Sequence, residues 1–158
     1  MKRFALTILI VLSQFALAFA GDSLAVVYRI RLDSDIDKSA QRLVTLGLEK
    51  ADKADADYVL IDIDTYGGAV DAADSIRSAI LRYDKPVAAY VNMQAASAGA
   101  LISIACDSIY MKTGSSIGAA TVVDQSGNVM PDKYQSFMRG MMRSTARPPE
   151  GIRRLRSL

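Results

Sequence analysis

At 158 residues and 51% apolar content, the chain has the length of one domain and can bury a substantial core. Its 19 Lys and Arg against 17 Asp and Glu give a formal charge of +2, which provides no electrostatic footprint for nucleic acid. With no histidine and a single cysteine, Cys106, it has neither the ligands of a usual transition-metal site nor an internal disulfide.

Met1-Lys2-Arg3 is a short positive start. Phe4 to Phe19 is apolar, with Thr7, Ser13 and Gln14 as its polar breaks, and Ala18-Phe19-Ala20 is a small-x-small site. The pattern predicts a secretory signal peptide over residues 1–20, cleaved after Ala20. The same stretch approaches the length of a membrane anchor. Without Lys2 and Arg3 the chain carries 17 basic and 17 acidic residues, and its basic excess lies at the far end, from Arg139 to Arg156.

Leu24 to Leu32 predicts a strand with Val26, Tyr28, Ile30 and Leu32 on one face. Asp37 or Ser39 caps a helix reaching about Asp52, with Leu43, Gly47 and Ala51 on its inner stripe. Tyr58 to Asp64 is a second strand, whose apolar run predicts burial on both faces. Val70, Ala73, Ile76, Ile80 and Tyr83 step at helical spacing until Asp84-Lys85-Pro86 breaks the helix. Val87 to Val91 is a third strand, and a helix runs from Ser97 to Ala105 with Cys106 as a buried thiol. Ser108 to Met111 is a short fourth strand, Gly114 to Gly118 a turn, and Asp124 to Asn128 a hairpin tip. Pro131-Asp132 opens a last helix with Tyr134, Phe137, Met138 and Met141 along one stripe. Alternating strands and helices predict an α/β fold built from βαβ units around a mostly parallel sheet.

Ligands of such sheets bind beyond the carboxyl ends of the strands. Two segments fall there: Asp64-Thr65-Tyr66-Gly67-Gly68, and Ala95-Ala96-Ser97-Ala98-Gly99-Ala100. A glycine pair turns backbone N–H groups toward a ligand, and a helix mouth presents free N–H donors. Ser97 is therefore a candidate nucleophile, and the N–H groups of Gly68 and Ala98 are a candidate oxyanion hole, with Gly67 in the loop that meets substrate. Read alone, Ser97 is also a small residue suited to close helix packing. Without histidine the base must be another residue, and lysine is the obvious substitute. Lys112 and Lys133 are the two lysines that follow Ser97. Lys112 ends a strand before a turn, a common place for a solvated lysine. Lys133 opens a helix, where the dipole and burial against Phe137 favour a neutral amine. Asp62 and Asp64 share a strand face and have no evident partner, so they read as strand-end polar residues.

Taken together, the leader, the strand ending in Asp-Thr-Tyr-Gly-Gly, the Ala-Ala-Ser-Ala-Gly segment, Ser116-Ile117-Gly118-Ala119-Ala120 and the Lys133 helix resemble the NfeD-type membrane-associated serine proteases. That family lies in the ClpP/crotonase superfamily, alongside signal peptide peptidase A. The resemblance runs from Leu24 to Ala146 and departs where Tyr66 stands in place of the family's usual proline. It implies a ClpP/crotonase-like fold of ββα repeats and a Ser97–Lys133 dyad with oxyanion donors at Gly68 and Ala98. It also implies no cofactor and cleavage of apolar segments of a stomatin-like membrane partner by an exported, oligomeric enzyme on the periplasmic side. The expected organisation is a signal peptide over 1–20, an incomplete protease domain over 24–146 and a basic tail over 147–158. A truncated, inactive scaffold and an acyl-CoA enzyme of the same fold are the alternatives.

Overall fold

β-branched and aliphatic runs that end in Gly- or Asp-rich turns form the strands here, and alanine-rich stretches with one apolar stripe form the helices between them. The computed structural model describes residues 24–124 and 126–146; the expected leader and basic tail lie outside the described residues. The chain order is β1 (Val27–Leu32), α1 (Lys38–Lys53), β2 (Tyr58–Thr65), α2 (Val70–Arg82), β3 (Val87–Ala96), α3 (Ala98–Ala105), β4 (Ser108–Met111), β5 (Ser116–Gly118) and α4 (Asp132–Ala146). Strands and helices alternate singly as far as β4, and adjacent strands in sequence occur once, at β4–β5.

The sheet follows chain order, β1-β2-β3-β4, with every pairing parallel. β3 is long enough to serve two partners. Its first half pairs β4 and its second half pairs β5, with Gln94, Ala95 and Ala96 opposite Ser116, Ile117 and Gly118. The expected third strand, ending at Val91, is thus too short, and the expected Gly114–Gly118 turn is a turn followed by a strand. Three residues beside two glycines give no periodic signal, so β5 is set by its pairing partner rather than by local preference.

Ile30, Ile61 and Ala89 stand in one row of the sheet, and Leu32, Ile63 and Val91 in the next. All six are buried, on the face that the helices cover. α1 reaches that face where Gly47 lies against Ile30, and α3 does so where Gly99 lies against Thr65 and Ile63. The inner stripe of α1 is Ala40, Val44, Gly47, Leu48 and Ala51, while Leu43, expected inside, is 47% exposed. Asp37 caps this helix by accepting the Ala40 N–H at 2.8 Å.

Burial of β2 on both faces is not what the structure has. Its second face is covered only in part: Asp62 is buried there, Leu60 and Asp64 are half-buried, and Tyr58 is 49% exposed. Asp62 has a partner after all, since it forms an ion pair with Arg29 on the neighbouring strand. Cys106 is buried at the end of α3, as expected.

Candidate active site

Both predicted segments sit at the carboxyl ends of neighbouring strands. β2 ends at Thr65 and β3 at Ala96, and Thr65 pairs Ala95 after a register shift in the ladder. Between these pairings β3 runs from Val91 to Ala95 while β2 runs only from Ile63 to Thr65, so the extra residues lie on β3, just before the turn that carries Ser97.

Ser97 is the residue between β3 and α3, and its backbone is strained, at φ +52° and ψ −112°. Few residues other than glycine adopt such angles, and each costs about 1–3 kcal/mol that the surrounding structure must offset. Two neighbours hold it. Its N–H donates to the Gly118 carbonyl at 2.7 Å, and its own carbonyl accepts from Ala100 and Leu101 in the first turn of α3. The Ser97 side chain makes no capping bond to the helix. A strained serine on a sharp strand-to-helix turn presents its Oγ outward, clear of its own helix. The pairing of β5 with β3 therefore explains the Ser-Ile-Gly segment: it anchors the turn that carries Ser97.

The glycine pair is pinned from the other side. Ile36, in the β1–α1 loop, donates its N–H to the Gly67 carbonyl at 2.8 Å and accepts from the Ala69 N–H at 2.7 Å. The Gly67 N–H donates to the Thr65 hydroxyl at 3.1 Å. In a parallel bridge of this kind the flanking residues bond the partner, so the N–H of the middle residue, Gly68, points away from Ile36. Gly67 is buried and Gly68 exposed. Their φ values, +117° and +151°, are open to glycine and closed to nearly everything else.

The structure brings Gly67, Ser97 and Ala98 together. A methyl group built on Gly67 would lie 2.7 Å from the Ser97 Cβ and 3.3 Å from the Ala98 nitrogen. Only a glycine lets the loop come this close. Ala98 is the first residue of α3, so its N–H has no partner within the helix.

Lys133 is in a different setting from the one expected. It lies in the first turn of α4, exposed, with Nζ 5.0 Å from the centre of the Tyr134 ring. Phe137, expected to bury it, is itself 63% exposed. Lys133 lines a cavity of about 700 Å³ with Val70, Val122, Tyr134, Phe137, Met138 and Met141, and with Asp71 and Asp74. Val70 opens α2 directly after Gly67-Gly68-Ala69, so the cavity begins where the glycine loop ends. Ser97 is not in its lining, and the structure does not bring the serine and the lysine into contact. The cavity's carboxylates are engaged. Asp71 pairs Lys38 at 2.8 Å, and that hydrogen bond holds its carboxyl below the ordinary value. Asp74 pairs Arg77 at 3.0 Å. Lys112 is exposed and bonds Asn92 at 3.2 Å on the edge of the sheet.

Two polar side chains organise the margin: Gln135, which the sequence does not single out, and Asp124 of the predicted hairpin tip. Gln135 uses its whole amide: Oε1 accepts the Val122 N–H at 3.0 Å, and Nε2 donates to the carbonyls of Val122 at 2.7 Å and Met130 at 3.1 Å. It ties the first turn of α4 to both arms of the hairpin whose Val123 and Val129 pair. At the tip, the Asp124 carboxylate accepts N–H bonds from Asn128 and Ser126. These bonds, with Asn128 contributing most, hold its carboxyl below the ordinary value. The stabilisation is therefore complete above the unfolded-state value and is lost as pH falls through the lower folded-state one. We expect the Asn128 amide signal to titrate below the ordinary aspartate midpoint; a midpoint at or above it would contradict this account of the tip.

The model of the NfeD1b N-terminal domain family matches residues 26–151. Membrane protein NfeD1b of Bacillus subtilis is 38% identical over 120 residues, covering 76% of this chain and 28% of the relative. The membrane-bound protease PH1510 of Pyrococcus horikoshii is 28% identical over 148 residues, covering 87% of this chain and 34% of the relative. The chain thus spans about a third of the length of the relatives it matches. Among solved structures, a lysine-to-alanine form of the 1510-N membrane-bound stomatin-specific protease, in complex with a substrate peptide, aligns with a TM-score of 0.73. It is 27% identical, and the alignment covers 78% of this chain and 60% of that one. ClpP1 of Listeria monocytogenes, 17% identical with a TM-score of 0.57 over 77% of this chain and 81% of its own, shares the fold. No helix among the described residues is long and apolar enough to cross a membrane.

Proposed function

This chain belongs to the NfeD1b family through its N-terminal domain, and from that premise we propose that it is a serine endopeptidase domain acting on a protein substrate at a membrane. The observation that carries the reading is Ser97, held at φ +52° on a strand-to-helix turn and packed against Gly67. Strain of this kind concentrates at active sites. Ser97 Oγ attacks the scissile carbonyl. The N–H groups of Gly68 and Ala98 receive the oxyanion, each such donor being worth roughly 3 kcal/mol of barrier. The Lys133 amine takes the proton from Oγ and returns it to the leaving amine, and a water activated by the same amine then hydrolyses the acyl-enzyme.

A lysine variant of a related protease holds a substrate peptide, which supports a lysine at the chemistry. Lys133 is the candidate because it lines the cavity that begins at the glycine loop. Val122, Tyr134, Phe137, Met138 and Met141 in that cavity suit apolar segments, and the stomatin specificity of the related protease supports a stomatin-like partner. A second copy of the chain covers Tyr134 and Phe137 and shields Lys133 from bulk water. The amino-terminal leader directs the domain to the periplasmic side of the inner membrane, in keeping with relatives named as membrane proteins.

The test is labelling by a serine-directed phosphonate, with the modified residue located by mass spectrometry. Label at Ser97 is expected; a chain that stays unlabelled under conditions that label a control serine protease would sink the reading. The base is tested separately. Lys133→Ala is expected to lower turnover of an apolar peptide by about 10²–10⁴. Lys112→Ala, whose lysine bonds Asn92 on the sheet edge, is expected to leave it unchanged. The reverse order of losses would move the base to Lys112.

A further inference from the structure

We propose that Thr65 is a positioning residue of this site: its hydroxyl engages the Gly67 N–H, so that the Gly68 N–H is the loop donor presented to the reacting carbonyl. The inference rests on the reading of Ser97 and Gly68 given above. Thr65 is 3% exposed at the end of β2. Its Oγ1 donates to the Ser34 carbonyl at 2.7 Å and accepts from the Gly67 N–H at 3.1 Å. Its methyl group packs against α3, where a Cβ built on Gly99 would lie 2.7 Å from Thr65 Cγ2. One side chain therefore touches three segments: the β1–α1 loop, the glycine loop and the helix that begins after Ser97.

A glycine pair has two N–H groups and many accessible conformations, so the glycines cannot themselves select which donor faces the substrate. Three bonds make the selection. Thr65 takes the Gly67 N–H, and Ile36 takes the Gly67 carbonyl and the Ala69 N–H. The threonine is suited to the task because branching at Cβ restricts χ1, and contact of the methyl with Gly99 fixes where the hydroxyl points. Beyond the register shift Thr65 pairs Ala95, so it stands beside the end of β3 that leads into Ser97. Loss of the hydroxyl leaves the buried Gly67 N–H without an acceptor and frees the loop to rotate.

The experiment compares Thr65→Val, which keeps a methyl at Cγ2 and lacks the hydroxyl, with Thr65→Ser, which keeps the hydroxyl and lacks the methyl. Peptide turnover, the rate of phosphonate labelling at Ser97 and the melting temperature are measured on each, with rates taken well below melting. Thr65→Val is expected to lower kcat and the labelling rate by about 10- to 100-fold with KM nearly unchanged, the effect of a misplaced catalytic group. Thr65→Ser is expected to recover most of both rates even where its melting temperature stays low. Should Thr65→Val fail to fold, Thr65→Ala against Thr65→Ser isolates the hydroxyl in the same way. A hydroxyl-free variant that labels at the wild-type rate, or a serine variant as slow as the valine one, would overturn the proposal while leaving the Ser97 reading intact. Absence of label on the wild-type chain would overturn that reading and this one with it.

Discussion

Ser97→Ala is expected to abolish phosphonate labelling and to lower peptide turnover by at least about a thousandfold, while Ser97→Gly is equally inactive and the more stable of the two. The first half follows from removing the proposed nucleophile. The second follows from the backbone. Ser97 has φ +52°, and an alanine there keeps the Cβ that makes the conformation costly. Glycine removes a strain of about 1–3 kcal/mol and adds about 0.5–1 kcal/mol of chain entropy lost on folding. The net gain of roughly 1 kcal/mol over Ser97→Ala corresponds to about 4 °C in melting temperature for a domain of this size. A chain selected for stability alone would carry glycine at this turn. A calorimetric comparison in which the alanine variant melts at or above the glycine variant would show that the turn is not strained. Turnover retained by either variant would remove Ser97 from the mechanism.

The two strand-end segments of the candidate site were legible because small residues and a glycine pair after an apolar strand announce themselves. Gly67-Gly68 after an apolar strand and Ser97 in an all-small segment marked the two strand ends, and β2, α2 and α3 lie close to where periodicity put them. What was hidden depends on partners far away in sequence. Nothing local in Ala-Ala-Ser-Ala-Gly specifies a positive φ, because serine does not favour one; the Gly118 carbonyl on β5 and the Gly67 loop impose it together. β5 itself is three residues between turn signals, and it forms because β3 runs on past β4. Thr65 and Gln135 read as ordinary polar residues, since a hydrogen bond to the backbone of a distant loop leaves no periodic trace. The stripe of α4 was half legible. Met138 and Met141 are buried as expected, whereas Tyr134 and Phe137 stay 41% and 63% exposed, because a pattern of apolar residues marks a face without saying what covers it.

Gly68→Ala is expected to be the most damaging of the glycine substitutions to stability and to eliminate labelling at Ser97. Its Cβ would lie 2.3 Å from the Ile36 carbonyl oxygen and 2.7 Å from the Ile36 nitrogen. Both are backbone atoms, so no side chain can swing aside. Relief requires the loop to leave Ile36, which breaks the bonds from Ile36 N–H to Gly67 and from Ala69 N–H to Ile36. Each bond contributes about 1 kcal/mol, and a side chain at the φ of +151° adds about 1–3 kcal/mol of backbone strain, so a loss of about 3–5 kcal/mol is expected. The same displacement would move the Gly68 N–H, the proposed oxyanion donor, so activity is expected to fall even in molecules that remain folded. Two other glycines calibrate the result. Gly114→Ala meets nothing within 4 Å and has only its φ of +85° to oppose it, so it is expected to cost about 1 kcal/mol. Gly140→Ala, in α4 with no atom within 4 Å, is expected to stabilise by about 0.5–1 kcal/mol through helix propensity. Chemical denaturation of the three variants, with labelling measured on each, checks the ranking. If Gly68→Ala were no more destabilising than Gly114→Ala, the Ile36 bridge would not be what holds the loop. If it kept wild-type labelling, the oxyanion donor would have to be sought elsewhere.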